Sequence, residues 1–475
     1  MDDRVTLDAT TDEAGDEPPV GPGRGRRVLT VAVVGALVVS MVFLAFISGR
    51  GVVPPPRGVA PRATAGTSRP GLPRLAVVGA DGRLLTMDAM GGSVMSFGRP
   101  GVTFGFPAWS PDGSRIAVVG TTDKDTGIYV FPAAPPTSAP ADPVVVYEDA
   151  GSPPFYLYWS PDGRRLSFLT TELAGLALRV APADASAPAT VARTGSPLYW
   201  TWSGPDRLLV HSGIADADAF FGEIGADGTA PERAASAAGE FRAPAVSADA
   251  RFRGYSSLAT ATPGQVIVES TDHAIEHRVG VYGTAALDFG PAADELAFIA
   301  PSAAAPPMGV PLGPLRLMDA ASGAVRTMLP DGVVGFFWSP DGSTIAALQL
   351  VSAGSDQVAT VGRLVSADSS GSADRRSTVA AAAPGSPLRL VFVSTGSGAI
   401  VSHRTVRLSD AFTQQVLPYF DQYALSHRLW SPDGTAIILP VVSDDGVVHL
   451  TTVRADGTDS HVVTDGAIAF WRPVR

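Results

Sequence analysis

No cysteine occurs in the 475 residues. That excludes disulfides, thiolate metal sites, thiol catalysis and a lipid anchor through cysteine. Lysine occurs once, at Lys124, among 35 basic residues, and 46 acidic residues bring the formal charge to −11. No Lys/Arg stretch forms a basic stripe, and an acidic chain repels phosphate, so nucleic acid is excluded as a partner. The serine-hydrolase spelling Gly-x-Ser-x-Gly is absent, and no α/β pattern exists to carry it. No long amphipathic helix pattern follows residue 60, which points to an all-β domain.

One long apolar run is present. Val28 to Gly49 holds no charged residue and is long enough to cross a bilayer as a helix. It exceeds the apolar core of a cleavable signal, so an uncleaved anchor is expected. Residues 1–27 before it carry Asp2, Asp3, Asp8, Asp12, Glu13, Asp16 and Glu17 without an apolar pattern, and read as a disordered acidic tail. Residues 50–72 are Pro-rich and read as an extended spacer. Arg24, Arg26 and Arg27 on one side of the run balance Arg50, Arg57 and Arg62 on the other, so charge alone does not orient it.

From residue 73 to 475 one pentapeptide recurs. Its copies begin at Trp109, Trp159, Trp202, Val246, Phe289, Trp338 and Trp430, and four of them read Trp-Ser-Pro-Asp-Gly. The second positions are spaced by 50, 43, 44, 43, 49 and 92 residues. Pro presets the first corner of a turn, Asp (Asp112, Asp162, Asp341, Asp433) suits the second, and Gly accepts the positive φ that follows. Each aromatic closes an apolar strand and belongs to the core, and a β-branched run follows each turn. Further hairpins are marked by Asp81-Gly82, Gly91-Gly92, Asp227-Gly228 and Asp456-Gly457. Four short strands per period of about 45 residues predict a closed β-propeller. The first segment lacks an opening strand, and the last, ending at Trp471, has nothing after one. Joining them gives eight blades, with seven as the alternative. The long last gap is expected to be a blade with a Ser/Gly/Asp-rich insertion, Ser352 to Thr378.

The repeat resembles the WD40-like (PD40) repeats of the TolB-type propellers, also found in the propeller domains of the prolyl oligopeptidase group. The α/β domain that precedes the TolB propeller has no room here, and too few residues follow Gly434 for a peptidase domain. The resemblance implies a propeller that scaffolds, binds or gates. It also implies that the propeller is extracytoplasmic, with the N-terminus in the cytoplasm.

Candidate chemistry is sparse, and no cofactor or metal is expected. His273-Ala274-Ile275-Glu276-His277 matches an inverted-zincin spelling, which needs a helix. Here it lies between strand-like runs and reads as a turn. Asp123-Lys124-Asp125-Thr126-Gly127 and Ser443-Asp444-Asp445-Gly446 lack calcium-loop spacing and read as hairpin tips. The densest polar and aromatic stretch runs from Tyr419 to Trp430, ahead of the last motif. Tyr419, Asp421, Gln422, Tyr423 and His427 are therefore the candidate binding residues, near one channel mouth. The leading expectation is a non-catalytic module that binds a protein, peptide or cell-envelope component. The alternative is a propeller hydrolase or lyase using Asp421 and His427 on envelope carbohydrate or peptide.

Overall fold

The computed structural model describes residues 73–133, 142–172, 175–213, 219–229, 243–257, 264–283, 285–292, 294–301, 311–351 and 386–473. The tail 1–27, the apolar run 28–49 and the linker 50–72 lie outside these. Among the described residues no helix is long and apolar enough to cross a membrane.

Short antiparallel strands follow one another as hairpins. One sheet shows the plan: Thr103–Trp109, Arg115–Thr121, Thr126–Pro132 and Val144–Asp149 lie side by side in chain order. The plan recurs from Pro154–Trp159 to Thr190–Gly195 and from Ala245–Val246 to Glu276–Val281. Two sheets have three described strands, Leu198–Gly204 to Phe220–Gly225 and Ala436–Val442 to Ser460–Asp465. One sheet has seven, because Val325–Trp338 runs unbroken between two hairpin sets. It pairs first with Gly313–Asp319 and then, over Val333 to Trp338, with Thr344–Leu350. Ile468–Trp471 pairs with Arg74–Val78, Leu75 opposite Trp471, so the first and last strands share a sheet. Consecutive small antiparallel sheets with shared end strands make a β-propeller fold.

Thr344–Leu350 pairs directly with Pro387–Ser394. The two strands that flank the long gap thus form one hairpin. Ser352 to Thr378 lies outside the described residues.

The motif acts through its polar atoms. Ser110 Oγ donates to Asp112 Oδ1 at 2.6 Å, and Asp112 Oδ1 accepts from Ser114 N at 3.0 Å. Ser110 Oγ in turn accepts from Arg115 N at 3.0 Å, and Gly113 N closes the turn onto Ser110 O. Gly113, Gly163, Gly342 and Gly434 all hold positive φ, from 65° to 71°. The fourth copy keeps this geometry with Ala250 at φ 59°, a conformation that costs a Cβ-bearing residue about 1 kcal/mol or more.

The third copy departs from expectation. The strand continues through Gly204, which pairs with Arg207, so a two-residue Pro205-Asp206 turn replaces the longer loop. Its Pro falls one position late and Arg follows its Asp, so no glycine is available for the left-handed corner.

The aromatics join successive hairpin sets. Trp159 Nε1 donates to Ala108 O (2.9 Å), Trp338 Nε1 to Asp288 O (3.3 Å) and Trp430 Nε1 to Phe337 O (2.9 Å). Trp109 Nε1 donates to Phe470 O at 3.1 Å, tying the second sheet to the strand that ends the described chain. In each case the acceptor precedes the aromatic of the previous unit. Trp109, Trp159, Trp430 and Trp471 are buried, as expected of core positions, while Trp338 is partly exposed. The indoles of Trp202 and Trp471 are buried without an acceptor.

Candidate functional site

In the last sheet the opening strand is reduced to its two ends. Leu408 bridges Val441 and Trp430 bridges Ile437, Ser409 and Leu429 still bond to the same strand, and residues 410–428 leave the sheet between them. This central segment forms one irregular helical turn after another: Phe412–Val416, Leu417–Tyr419 and Phe420–Tyr423. Pro418 and the crowded aromatics prevent one continuous helix.

The segment meets the opening strands of several sheets, which places it at the propeller centre. Tyr423 stacks on Phe106 at 5.2 Å between ring centroids and meets Tyr156 edge-on at 5.3 Å. Tyr419 lies 5.7 Å from Tyr156, and Phe420 packs on Phe336 and Phe337. His427 meets Phe470 at 4.8 Å. Gly335 permits the approach of Leu417, because a Cβ there would stand 2.6 Å from Leu417 Cδ1. Phe106 and Tyr156 hold positive φ, 53° and 50°, at bulges in their strands. Both occupy the third position before a motif Trp, and both aim an aromatic ring at Tyr423.

The segment also satisfies backbone groups that the opening strands leave unpaired. Trp159 N donates to Ser426 Oγ at 3.1 Å. His427 is buried, with Nδ1 3.2 Å from Tyr423 O and Nε2 3.3 Å from Phe106 O. Burial lowers its pKa to about 4, against the pull of those carbonyls. A neutral imidazole donates from one nitrogen only, so one carbonyl faces a bare ring nitrogen. His427 thus stands inside the packed centre, its nitrogens turned to the backbone.

The other candidates divide. Gln422 and Tyr423 are buried, and Tyr419 and Asp421 retain accessible surface. Burial pushes the hydroxyls of Tyr156, Tyr158, Tyr419 and Tyr423 above their ordinary range. A further carboxylate, which the sequence reading did not single out, belongs to this group. Asp288 lies in the strand Ala286–Phe289, and burial together with the Asp421 charge pushes its pKa up to about 8. Its signal is positional: it directly precedes the motif aromatic Phe289, as Tyr158 precedes Trp159 and Phe337 precedes Trp338.

Outside the centre, His273 sits in a turn at φ 60°, while Glu276 and His277 begin the strand Glu276–Val281. Asp123-Lys124 and Asp444-Asp445 lie in turns between paired strands. Among the described residues no three metal-ligating side chains converge.

No protein-family model matches the chain, and no curated protein does. Solved structures do. Dihydro-haem d1 dehydrogenase NirN in complex with DHE is similar at 14% identity over 88% of this chain and 78% of that one, with a TM-score of 0.51. A putative TolB from Agrobacterium tumefaciens is similar at 19% identity over 57% of this chain and 94% of that one, TM-score 0.34. An oligogalacturonate lyase in complex with manganese is similar at 11% identity over 82% and 83%, TM-score 0.43. The likeness to NirN supports the propeller fold. A likeness of fold at 14% identity assigns no activity.

Proposed function

We propose that this chain is a membrane-anchored, extracytoplasmic propeller of eight blades that binds a protein, peptide or cell-envelope component without catalysis. The blade count follows if Val325–Trp338 closes one blade and opens the next, and the shared end strands seal the ring. The anchor is residues 28–49, with the N-terminus in the cytoplasm and residues 50–72 as spacer. The PD40 character of the repeat rests on its spelling.

One observation carries the non-catalytic reading. His427, the imidazole proposed for acid-base work with Asp421, is enclosed by Tyr423, Phe106 and Phe470 and engaged with backbone carbonyls. A general base must reach the substrate proton directly or through one water. The chain's own segment occupies the centre, and among its accessible residues Tyr419, Asp421, Leu425 and Arg428 remain for recognition.

Crosslinking in intact cells tests this, with wild type compared to Asp421→Asn. A specific envelope protein captured by wild type and reduced in the variant is the expected result. Equal capture by both moves the surface away from the centre. No capture by either overturns the binding reading and returns the hydrolase or lyase alternative.

A further inference from the structure

The strand Ile400–Arg407 ends the seven-stranded sheet. It pairs with Pro387–Ser394 on one side and with no described strand on the other. At eight residues it is the longest strand at a sheet edge among the described residues. Antiparallel bonding alternates along a strand, so about half of its N–H and C=O groups point away from its one neighbour. Its first two residues, Ile400 and Val401, are each 49% exposed. A long edge with apolar residues on it is a template for a further strand.

Its charge sets it apart. It carries His403, Arg404 and Arg407 and no acid, a combination that no other described strand has. Arg389 on the neighbouring strand stands opposite Thr405 and so shares a face with His403 and Arg407. Arg407 is paired with Asp444 at 2.7 Å. The side chains of Arg389, His403 and Arg404 engage no partner among the described residues. On the adjoining hairpin, which meets this strand where Ser402 Oγ donates to Ala455 O, Asp456 is held by Arg454 and Thr458, and Asp459 follows. Other outer strands carry acids or balanced pairs. Val144–Asp149 ends in Glu148 and Asp149, Glu276 bonds Arg278, and Asp465 bonds His449.

We infer that this edge accepts an extended acidic segment of a partner protein, added to the sheet as a further strand. Main-chain hydrogen bonds to the free edge supply affinity, and the side chains supply selection. Opposite charges across a strand pair stabilise it and like charges oppose it. Two copies of this chain paired edge to edge would set Arg404 and His403 against their own kind, so a second copy is disfavoured. The chain as a whole carries −11 and repels acidic partners, so a local surplus of positive charge selects where one docks. The inference adds a surface to the binding reading, on an outer strand and apart from the central segment.

Fluorescence anisotropy with the full chain in detergent tests this with labelled peptides matched to the strand in length, alternating valine with glutamate, glutamine or lysine. Saturable binding of the glutamate peptide is expected, about tenfold tighter than the glutamine peptide, with none of the lysine peptide. N-methylation of the glutamate peptide keeps its charge and removes its backbone donors, and should abolish binding. Arg389→Gln/Arg404→Gln removes two cations that hold nothing in the fold, and should weaken binding about tenfold. No saturable binding of the glutamate peptide, equal binding of the lysine or N-methylated peptide, or equal affinity in the double variant overturns the inference. Self-association of the chain that excludes the peptide would assign the edge to a second copy and overturn it too. Capture in cells by wild type against Asp421→Asn reads the centre alone, so either surface can fail without the other.

Discussion

The motif turns and the central segment are built by opposite means. Each turn is a closed local circuit: Ser339 Oγ donates to Asp341, Asp341 accepts from Ser343 N, and Ser339 Oγ accepts from Thr344 N. Its partners lie within five residues, so the same spelling works wherever it occurs. The central segment has almost no such local logic. Ser426 serves Trp159, 267 residues away, and His427 reaches Phe106, 321 residues away. Repeated local circuits make a frame that tolerates drift in single copies. Non-local contacts from one unrepeated segment make a centre that depends on the whole frame being in place.

This contrast can be broken from either side. The largest effect is expected at the staples between sheets. Trp430 is buried and donates to Phe337 O, and Trp430→Ala should cost about 3–5 kcal/mol in denaturant unfolding. A loss below 1 kcal/mol would mean that neighbouring sheets are not joined there.

At the centre the lever is pH. Because folding depresses the His427 pKa from 6.5 to about 4, its contribution is present above the unfolded value and is lost as pH falls through the folded one. The His427 contribution to stability should decline by up to about 3 kcal/mol between pH 6.5 and 4. It is read as the loss, across that window, of the stability difference between wild type and His427→Gln. Asp288 acts with the opposite sign. Its raised pKa stabilises the fold below the ordinary carboxylate range, and that contribution fades as pH rises toward 8. Asp288→Asn should therefore remove the part of the stability profile that falls between about pH 4 and pH 8.

Within a turn the effects shrink. Asp341 is held below the ordinary carboxylate range, first by the Ser339 hydroxyl, and its contribution is lost as pH falls below about 4. Asp341→Ala should cost about 1–2 kcal/mol in thermal unfolding. Ala250→Gly should raise stability by about 1 kcal/mol, since it relieves the one motif corner among the described residues where a Cβ stands at positive φ. Unchanged stability there would mean that the fourth copy does not share the geometry of the others.

What was legible in the sequence follows the same division. Trp109, Asp112 and Gly113 declare strand end, turn and corner because their causes lie in neighbouring residues. The shared sheet of the first and last strands was legible too, since Leu75 to Val78 lacks an opening strand that Ile468 to Trp471 supplies. The stretch from Tyr419 to His427 was visible as unusual, but its role was not. Nothing in its spelling says that Tyr423 meets Phe106 and Tyr156, which belong to other sheets. Asp288 was hidden for another reason. Its copy, Phe289-Gly290-Pro291, is degenerate, and the inward direction of the residue before the aromatic emerges only when the sheets are assembled.

The most direct test of binding at the centre places a photoreactive residue at Leu425, exposed on the central segment, or at Val145, exposed on an outer strand, in intact cells. One envelope component crosslinked from position 425 and not from 145 is the predicted result. Crosslinking of that component from 145 alone, or from neither position, would contradict it.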